Sequence, residues 1–492
     1  MTRNLDVLIL NLPSPPYVDI VRDYAGGFGI VWPTKRGDYG QSAKPRLHGF
    51  LPYASAILSQ EGTDYTILDC QRLKLTKAQL LRDIKKRNPD IIFSVIGLPS
   101  LKKDLELLNM VKDTLPNTLI AGVGTVCRPL HKDILLKSKI DVVIRNSYPN
   151  VSNMNKLVKT VSQGLDLKDV PGVSYAKGKK VISTPESPDI CLSKLLPPKY
   201  DTLELEGYES SFSDKNGNTY PYISILVGKG CPYHCYYCPY PLGFGNKWTH
   251  KTPNAIADEI EYLTTRGFEA FSFRDQSFPM NATHATKVCR ELIRRKLDIA
   301  WVCEARADQV SKDILSLMKK SGCKRVHYGV ETGDPTLMKR AKPGIRLDTI
   351  RRAFRLTKEL DLFTNAHMIL GWPDESLKSL EKTHKFIVEL DPDSINWNIL
   401  TPYPGTKIYE IALENNLILT HDWSKYTSHS VVMKTKNLSS NQLCAAKNRI
   451  IRDFSKRRMK RLLLNLSHRK KQPRLLIDEA RDIIKSYITY NV

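Results

Sequence analysis

The sequence predicts an α/β protein in three parts: a doubly wound parallel sheet, then a partial (β/α)6 TIM-like barrel, then a helical basic C-terminal tail. Three observations predict it. Short Val/Ile/Leu runs alternate with helix-period segments, which is the pattern of parallel strands buried on both faces. The alternation stops near the Pro-Pro of KLLPPKY and restarts at residue 221, so two such units follow one another. Basic and apolar residues interleave at helical spacing over residues 447–474.

In the first unit, residues 6–13 (DVLILNLP) read as a strand, and 52–62 as a helix ending at Gly62. Residues 64–70 are strand, 75–89 helix, 90–97 strand, 101–116 helix and 118–124 strand, with a fifth strand over 140–146. Ligands of such sheets bind beyond the strand C-terminal ends, which here are the turns Gly97-Leu98-Pro99-Ser100 and Gly122-Val123-Gly124-Thr125. No GxGxxG is present, so a nicotinamide fingerprint is absent. Residues 151–220 read as a linker with a short helix and a hairpin at KGKKVIST. From 221 the strands are 222–228, 269–275, 300–306, 325–332, 363–373 and 394–406, with helices over 254–267, 283–297, 311–322, 347–361 and 376–391. Reactive groups belong at the C-terminal ends of such strands. The domains are then 1–150, a linker 151–220, a barrel 221–430 and a basic region 431–492.

A length of 492 residues allows two or three domains, and 41% hydrophobic with 26% charged residues is ordinary for a globular chain. No apolar run reaches the ~18 residues of a membrane span, and Asp6 interrupts the apolar N-terminus, which reads as a strand rather than a signal peptide. Ten cysteines without pairing patterns suggest a reducing cytoplasm. The net charge of +24 favours an anionic partner, whether nucleic acid, acidic protein or membrane surface in peripheral contact. The apolar side of the 447–474 helix is expected to pack on the protein body.

Three cysteines carry the chemistry: Cys231, Cys235 and Cys238, spaced CxxxCxxC in GKGCPYHCYYCPYP. Three thiolates can hold three irons of a cubane and leave the fourth open. A zinc knuckle or three unrelated thiols are the alternatives, but His234 and His250 make no familiar zinc spacing with them. With Tyr237 before the last cysteine, the loop resembles the signature of radical S-adenosylmethionine (SAM) enzymes. Other segments fit the same resemblance in the same order: Asp275 after FSFR, Glu304 and Arg306 alternating on one strand, Glu331 in YGVETG, Gly371 in GWPDE, and TPYPGT.

The resemblance implies a 4Fe-4S cluster on the three cysteines and SAM held by Tyr237, Asp275, Glu304, Arg306, Glu331 and Gly371. Asp275 would take the SAM ammonium, and Arg306 would fork onto the SAM carboxylate unless it pairs with Glu304. The first unit resembles the cobalamin-binding, Rossmann-like domain that precedes many such cores, which implies cobalamin cradled by Gly97, Pro99, Ser100, Gly122 and Gly124. DxHxxG is missing, which implies no lower histidine ligand from that motif, and Arg145-Asn146-Ser147 stands where the family shows Gly-Glu. The implied activity is radical C-methylation of an unactivated carbon in a low-oxygen setting, with a flavodoxin or ferredoxin as electron donor. The substrate stays open: a peptide, a lipid or a small natural-product precursor. Tyr403, Tyr409, Trp372, Trp397 and His367 are candidates to touch it, and Cys303 and Cys323 are candidate hydrogen donors. Alternatives are radical cyclisation, oxidation or carbon–carbon coupling on the same scaffold, and a non-catalytic iron–sulfur or cobalamin protein. A tRNA methylthiotransferase-like enzyme needs three further cysteines in its N-terminal domain, where this chain offers only Cys70 and Cys127.

Overall fold

Every residue of Val7–Asn11 and Ile91–Val95 is buried, so both strands must sit inside a sheet covered on two faces. In the computed structural model, which describes residues 4–33, 45–145, 152–187, 189–208 and 210–464, they do. The parallel order is Tyr65–Asp69, Val7–Asn11, Ile91–Val95, Leu119–Val123, Val142–Ile144. Alternate side chains go to opposite layers: Val7 and Ile9 join the core under helix Phe50–Gln60, while Leu8 and Leu10 join the one under Lys77–Arg87 and Leu101–Thr114. Each such fully buried aliphatic side chain contributes roughly 1.5–3 kcal/mol.

The sheet continues past residue 150. Val173–Lys177 and Lys180–Ser183 add two antiparallel strands and bring it to seven. The segment expected to be linker is therefore partly sheet, and Lys177, Lys179 and Lys180 stand exposed at its edge, where lysines discourage further strand pairing. A second difference lies between residues 13 and 52, where sequence analysis places no element. Val18–Val21 and Ile30–Pro33 pair as an antiparallel hairpin. Its connection lies over the C-terminal edge of the sheet: Leu98 N donates to Phe28 O at 2.7 Å, and Thr125 Oγ1 to Gly26 O at 2.7 Å. Asn146 and Ser147 fall outside the described residues.

The second unit is a six-stranded sheet in chain order, parallel throughout: Ile223–Leu226, Ala270–Arg274, Ala300–Ala305, Cys323–Glu331, Phe363–Leu370, Ser394–Ile399. One face of every strand lines a common cavity; along Cys323–Glu331, Arg325, His327, Gly329 and Glu331 face it, while Val326, Tyr328 and Val330 pack in the core. The helix starts are written locally. Thr252, Asn281, Ser311, Asp334, Ser376 and Thr406 each accept a first-turn N–H with the side chain, an N-cap worth about 1 kcal/mol apiece. Hairpin Ser211–Ser213/Thr219–Pro221 packs Phe212 against Ala270, Ala300 and Val302.

The basic region forms helix Ser440–Leu464. Leu443, Ala446, Ile450 and Ile451 are buried in the same core as Leu380, Phe386 and Ile387 of Leu377–Leu390, and Arg449 reaches Glu381 at 3.2 Å. Of the apolar residues expected to pack on the body, Ile450 and Ile451 are buried and Phe454 and Met459 partly so; the side chains beyond residue 460 lie outside the described residues. Among the described residues no helix is long and apolar enough to cross a membrane.

Candidate functional site

The cysteine loop leaves the first strand of the second unit. Gly228–Lys229 pairs back on Thr249–His250, and Gly230, at φ +83, turns the chain where a Cβ would collide with the Lys247 carbonyl. Cys231 N donates to Gly245 O at 3.1 Å and Cys238 N to Cys235 O at 2.9 Å, so the loop is fixed by its own backbone. Cys231, Cys235 and Cys238 are half-buried, free of disulfides, and line one cavity of about 1170 Å³. Burial pushes the Cys231 and Cys235 thiols up, while the Arg306 guanidinium pulls both down. Three soft donors on one short loop, facing open space, fit a cluster with one uncommitted iron.

Around the loop, the same cavity takes Tyr237, Asp275, Glu304, Arg306 and Glu331. Asp275 is buried; Trp248 Nε1 donates to its two oxygens at 3.0 and 3.2 Å. Burial pushes its carboxyl up to about 7, against those hydrogen bonds. Arg306 lies flat on the Tyr233 ring at 3.5 Å and reaches Asp308 at 2.9 and 3.1 Å. Its ion pair is with Asp308 rather than with Glu304, the partner the sequence offered. Glu331 follows a register shift at the end of its strand and holds φ +65, a strained conformation for a side chain other than Gly. Its carboxylate meets Lys342 Nζ at 2.9 Å, both nearly buried. Burial and the adjacent Glu331 push the Tyr237 hydroxyl up.

Gly371 is in the turn rather than on the cavity wall. At φ +91 it donates its N–H to Glu375 Oε2 at 2.9 Å, and a Cβ there would press on Leu443 at 3.1 Å. The turn instead seats Trp372 edge-on beneath Tyr237, ring centres 5.3 Å apart. Of the other candidates, Cys303, His367, Trp397 and Tyr403 line the cavity, whereas Cys323, Tyr409 and Trp372 do not. Burial pushes the Cys303 thiol well up, so it is a neutral thiol.

Glu304 turns to two histidines instead of to Arg306. His367 Nε2 is 3.0 Å away and His327 Nδ1 4.0 Å. Burial alone would raise the Glu304 carboxyl, but these rings hold it at about 2. His327, Lys342, Trp248 and Tyr233 are site residues that sequence reasoning missed. His327 had a signal, since Arg325, His327, Gly329 and Glu331 alternate in one strand and share a face. Lys342 and Trp248 had none, because each reaches its partner from another element.

The first unit meets this cavity through Tyr24, Ala25, Ile30 and Arg46. Gly97, Pro99, Ser100, Gly122 and Gly124 do not line it. Gly97 N and Ser100 Oγ both donate to Asp104, which also pairs with the fully buried Arg22 at 2.7 Å. A Cβ at Gly122 would meet Ile96 at 2.6 Å, and one at Gly97 the Arg22 side chain at 3.1 Å. Arg22, Ile96 and the backbone of residues 26–28 pack against these turns, and four of the five residues are buried, Gly124 being partly exposed.

Comparison with known proteins follows these lines. Residues 225–387 match the radical SAM superfamily. An uncharacterised methyltransferase of Pyrococcus horikoshii is 28% identical over 397 residues, 80% of this chain and 84% of that one. The anaerobic magnesium-protoporphyrin IX monomethyl ester cyclase of Cereibacter sphaeroides is 24% identical over 80% of this chain and 64% of its own. Among solved structures, the cobalamin-dependent radical SAM enzyme OxsB, with aqua-cobalamin and SAM bound, superposes with a TM-score of 0.74 at 14% identity, over 98% of this chain and 72% of that one. The radical SAM methyltransferase TsrM of Kitasatospora setae, with cobalamin and a [4Fe-4S] cluster bound, gives 0.65 at 16% identity over 84% and 75%.

Proposed function

We propose that this radical SAM enzyme is a cobalamin-dependent C-methyltransferase, built from a cobalamin-binding N-terminal domain, a partial (β/α)6 barrel and a basic C-terminal helix. The observation that carries the reading is the placement of three unpaired cysteines on one wall of a cavity that the N-terminal domain also lines. The relatives named methyltransferases and the cobalamin-bearing structural neighbours support the methyl-transfer half.

When bound, the cluster with SAM supplies one-electron chemistry at carbon, and cobalamin supplies a methyl group. The chain's residues bind and orient. Cys231, Cys235 and Cys238 would hold the cluster. Asp275, buried with neutral donors around it, would receive an ammonium. Arg306, stacked on Tyr233 and steadied by Asp308, would offer its guanidinium edge to a carboxylate. The Tyr237–Trp372 pair gives an apolar platform, and Tyr24, Ala25, Ile30 and Arg46 of the N-terminal domain line part of the cavity. If the corrin takes the place the family resemblance implies, residues 26–28 must lift from the turns at Leu98 and Thr125.

Cavity-lining Glu304, Arg325, His327, Asn365, His367 and Asn396 favour a polar substrate over a hydrocarbon one. The docked basic helix supplies Arg458 to the same wall, which favours an anionic group on that substrate or an anionic partner surface. A methylthiotransferase is disfavoured, because Cys70 and Cys127 are both fully buried and burial raises both thiols. A second reading, radical ring closure without methyl transfer, is favoured by the cyclase relative. The test is anaerobic reconstitution with iron, sulfide and cobalamin. Retained corrin absorbance, deoxyadenosine from SAM and a product heavier by one methyl group support methyl transfer. Deoxyadenosine with no corrin retained overturns it, and a product of unchanged carbon count favours the second reading.

A further inference from the structure

The family resemblance put Glu304 on SAM, but its carboxylate turns to His327 and His367, and neither histidine has a part in holding the iron–sulfur cluster or SAM in the reading above. The three side chains come from neighbouring strands, Ala300–Ala305, Cys323–Glu331 and Phe363–Leu370, and project from the same face into the cavity. One ligand-capable atom from each lies within 4.8 Å of the other two. The contacts among them are not aligned hydrogen bonds. His327 Nδ1 and His367 Nε2 are buried and neither has a hydrogen-bond partner, although Glu304 Oε2 is only 3.0 Å from the latter. Atoms that converge on a shared point, rather than aim at one another, give this geometry. An ion pair between His367 and Glu304 accounts for one ring only. It leaves His327 Nδ1 as a buried nitrogen with no partner, which is unfavourable.

We propose that Glu304, His327 and His367 bind one divalent transition-metal ion. Two imidazoles and a carboxylate suit Fe2+, Co2+, Ni2+ or Zn2+ better than Mg2+ or Ca2+, which take oxygen ligands. Three protein ligands leave coordination positions open to the cavity, where an oxygen or nitrogen donor of the substrate can bind. Asn396 Nδ2 lies 3.3 Å from His367 Nδ1, the ring nitrogen that is not directed at Glu304. The ligands sit two to four residues before Arg306, Glu331 and Gly371 on their strands, so the ion lies roughly 7–13 Å below that layer at about 3.3 Å per residue. A substrate anchored there presents its neighbouring carbons toward the SAM end of the cavity.

The test needs no turnover and no cobalamin, so it stands apart from the methyltransferase reading. The anaerobically cluster-reconstituted protein is stripped with chelator, loaded with Zn2+, desalted, and analysed for zinc and by zinc-edge X-ray absorption. The expected result is one zinc per chain with nitrogen and oxygen neighbours at about 2.0–2.1 Å and no sulfur. Glu304→Gln, His327→Gln and His367→Gln should each weaken zinc binding more than tenfold with cluster iron unchanged, since loss of an outer-shell partner alone costs 10–100-fold. Absence of retained zinc, a sulfur shell at the zinc edge, or unaltered affinity in His327→Gln overturns the proposal.

Discussion

Replacing Asp275 by Asn tests how this cavity handles an unpaired carboxylate. Asp275 is 6% exposed and its carboxylate accepts from neutral donors, Trp248 Nε1 and the backbone N–H groups of Gln276 and Ser277. No Lys or Arg among the described residues forms an ion pair with it, and burial lifts its carboxyl from 3.8 to about 7. The native state therefore holds this proton more tightly than the unfolded chain does. Stability from the group is complete below about pH 4 and is lost as pH rises through about 7. Three pKa units at 1.36 kcal/mol each make the loss about 4 kcal/mol in all, of which roughly 2.5 kcal/mol falls between pH 5 and pH 8. Asn keeps an oxygen for Trp248 and Ser277 and cannot ionise, so Asp275→Asn should be nearly flat over that range. Denaturant unfolding of cluster-free protein at pH 5, 6.5 and 8 reads the difference. A cation brought against Asp275 should drive the proton off. SAM binding to the cluster-loaded protein at pH 6.5 should then release about 0.8 proton more in wild type than in Asp275→Asn, measured by calorimetry in buffers of different ionisation enthalpy. Parallel pH–stability curves for the two proteins would refute the reasoning.

Ala at Cys231, Cys235 or Cys238 should abolish cluster assembly and SAM cleavage, read by iron content and deoxyadenosine; normal cleavage in any one variant removes it from the ligand set. Arg306→Ala should weaken SAM binding and spare cluster iron, and Arg306→Lys should recover little, because an ammonium lacks the fork and the flat face that stacks on Tyr233. Lys342→Met leaves the Glu331 carboxylate buried without its cation and should cost about 3–5 kcal/mol, with Glu331→Gln added to it restoring much of the loss. Arg22→Met should cost a similar amount through Asp104, and the hairpin over Gly97 and Gly122 should become sensitive to proteolysis in that variant.

The elements were legible because each is encoded locally. Buried strands such as Ile91–Val95 have no polar residue to place on a solvent face beyond one serine, and helix starts such as Thr252, Ser311 and Ser376 carry their own caps. The cysteine spacing was legible for the same reason: three donors on one loop need no distant partner. The hairpin Val18–Val21/Ile30–Pro33 was not legible. Its strands are four residues each, and what holds its connection is the backbone of Leu98 and the side chain of Thr125, far along the chain.

By itself the sequence determined the two α/β units, most of their helices and nine cavity-facing residues from Cys231 to Glu331, because periodicity, caps and short loops are properties of neighbouring residues; helix Cys127–Lys137, whose start has no side-chain cap, escaped it. Only the tertiary structure decided who pairs with whom. Arg306 took Asp308 and Tyr233 rather than Glu304, Glu304 took His327 and His367 from the next two strands, and Glu331 took Lys342 from beyond a helix. It also put residues 26–28 over the glycine turns that the sequence leaves open. The physical reason is the same throughout. A side chain's direction follows from its own strand, but its partner is whatever another strand's register or another loop's path brings within 3–4 Å, and packing of the whole chain sets that.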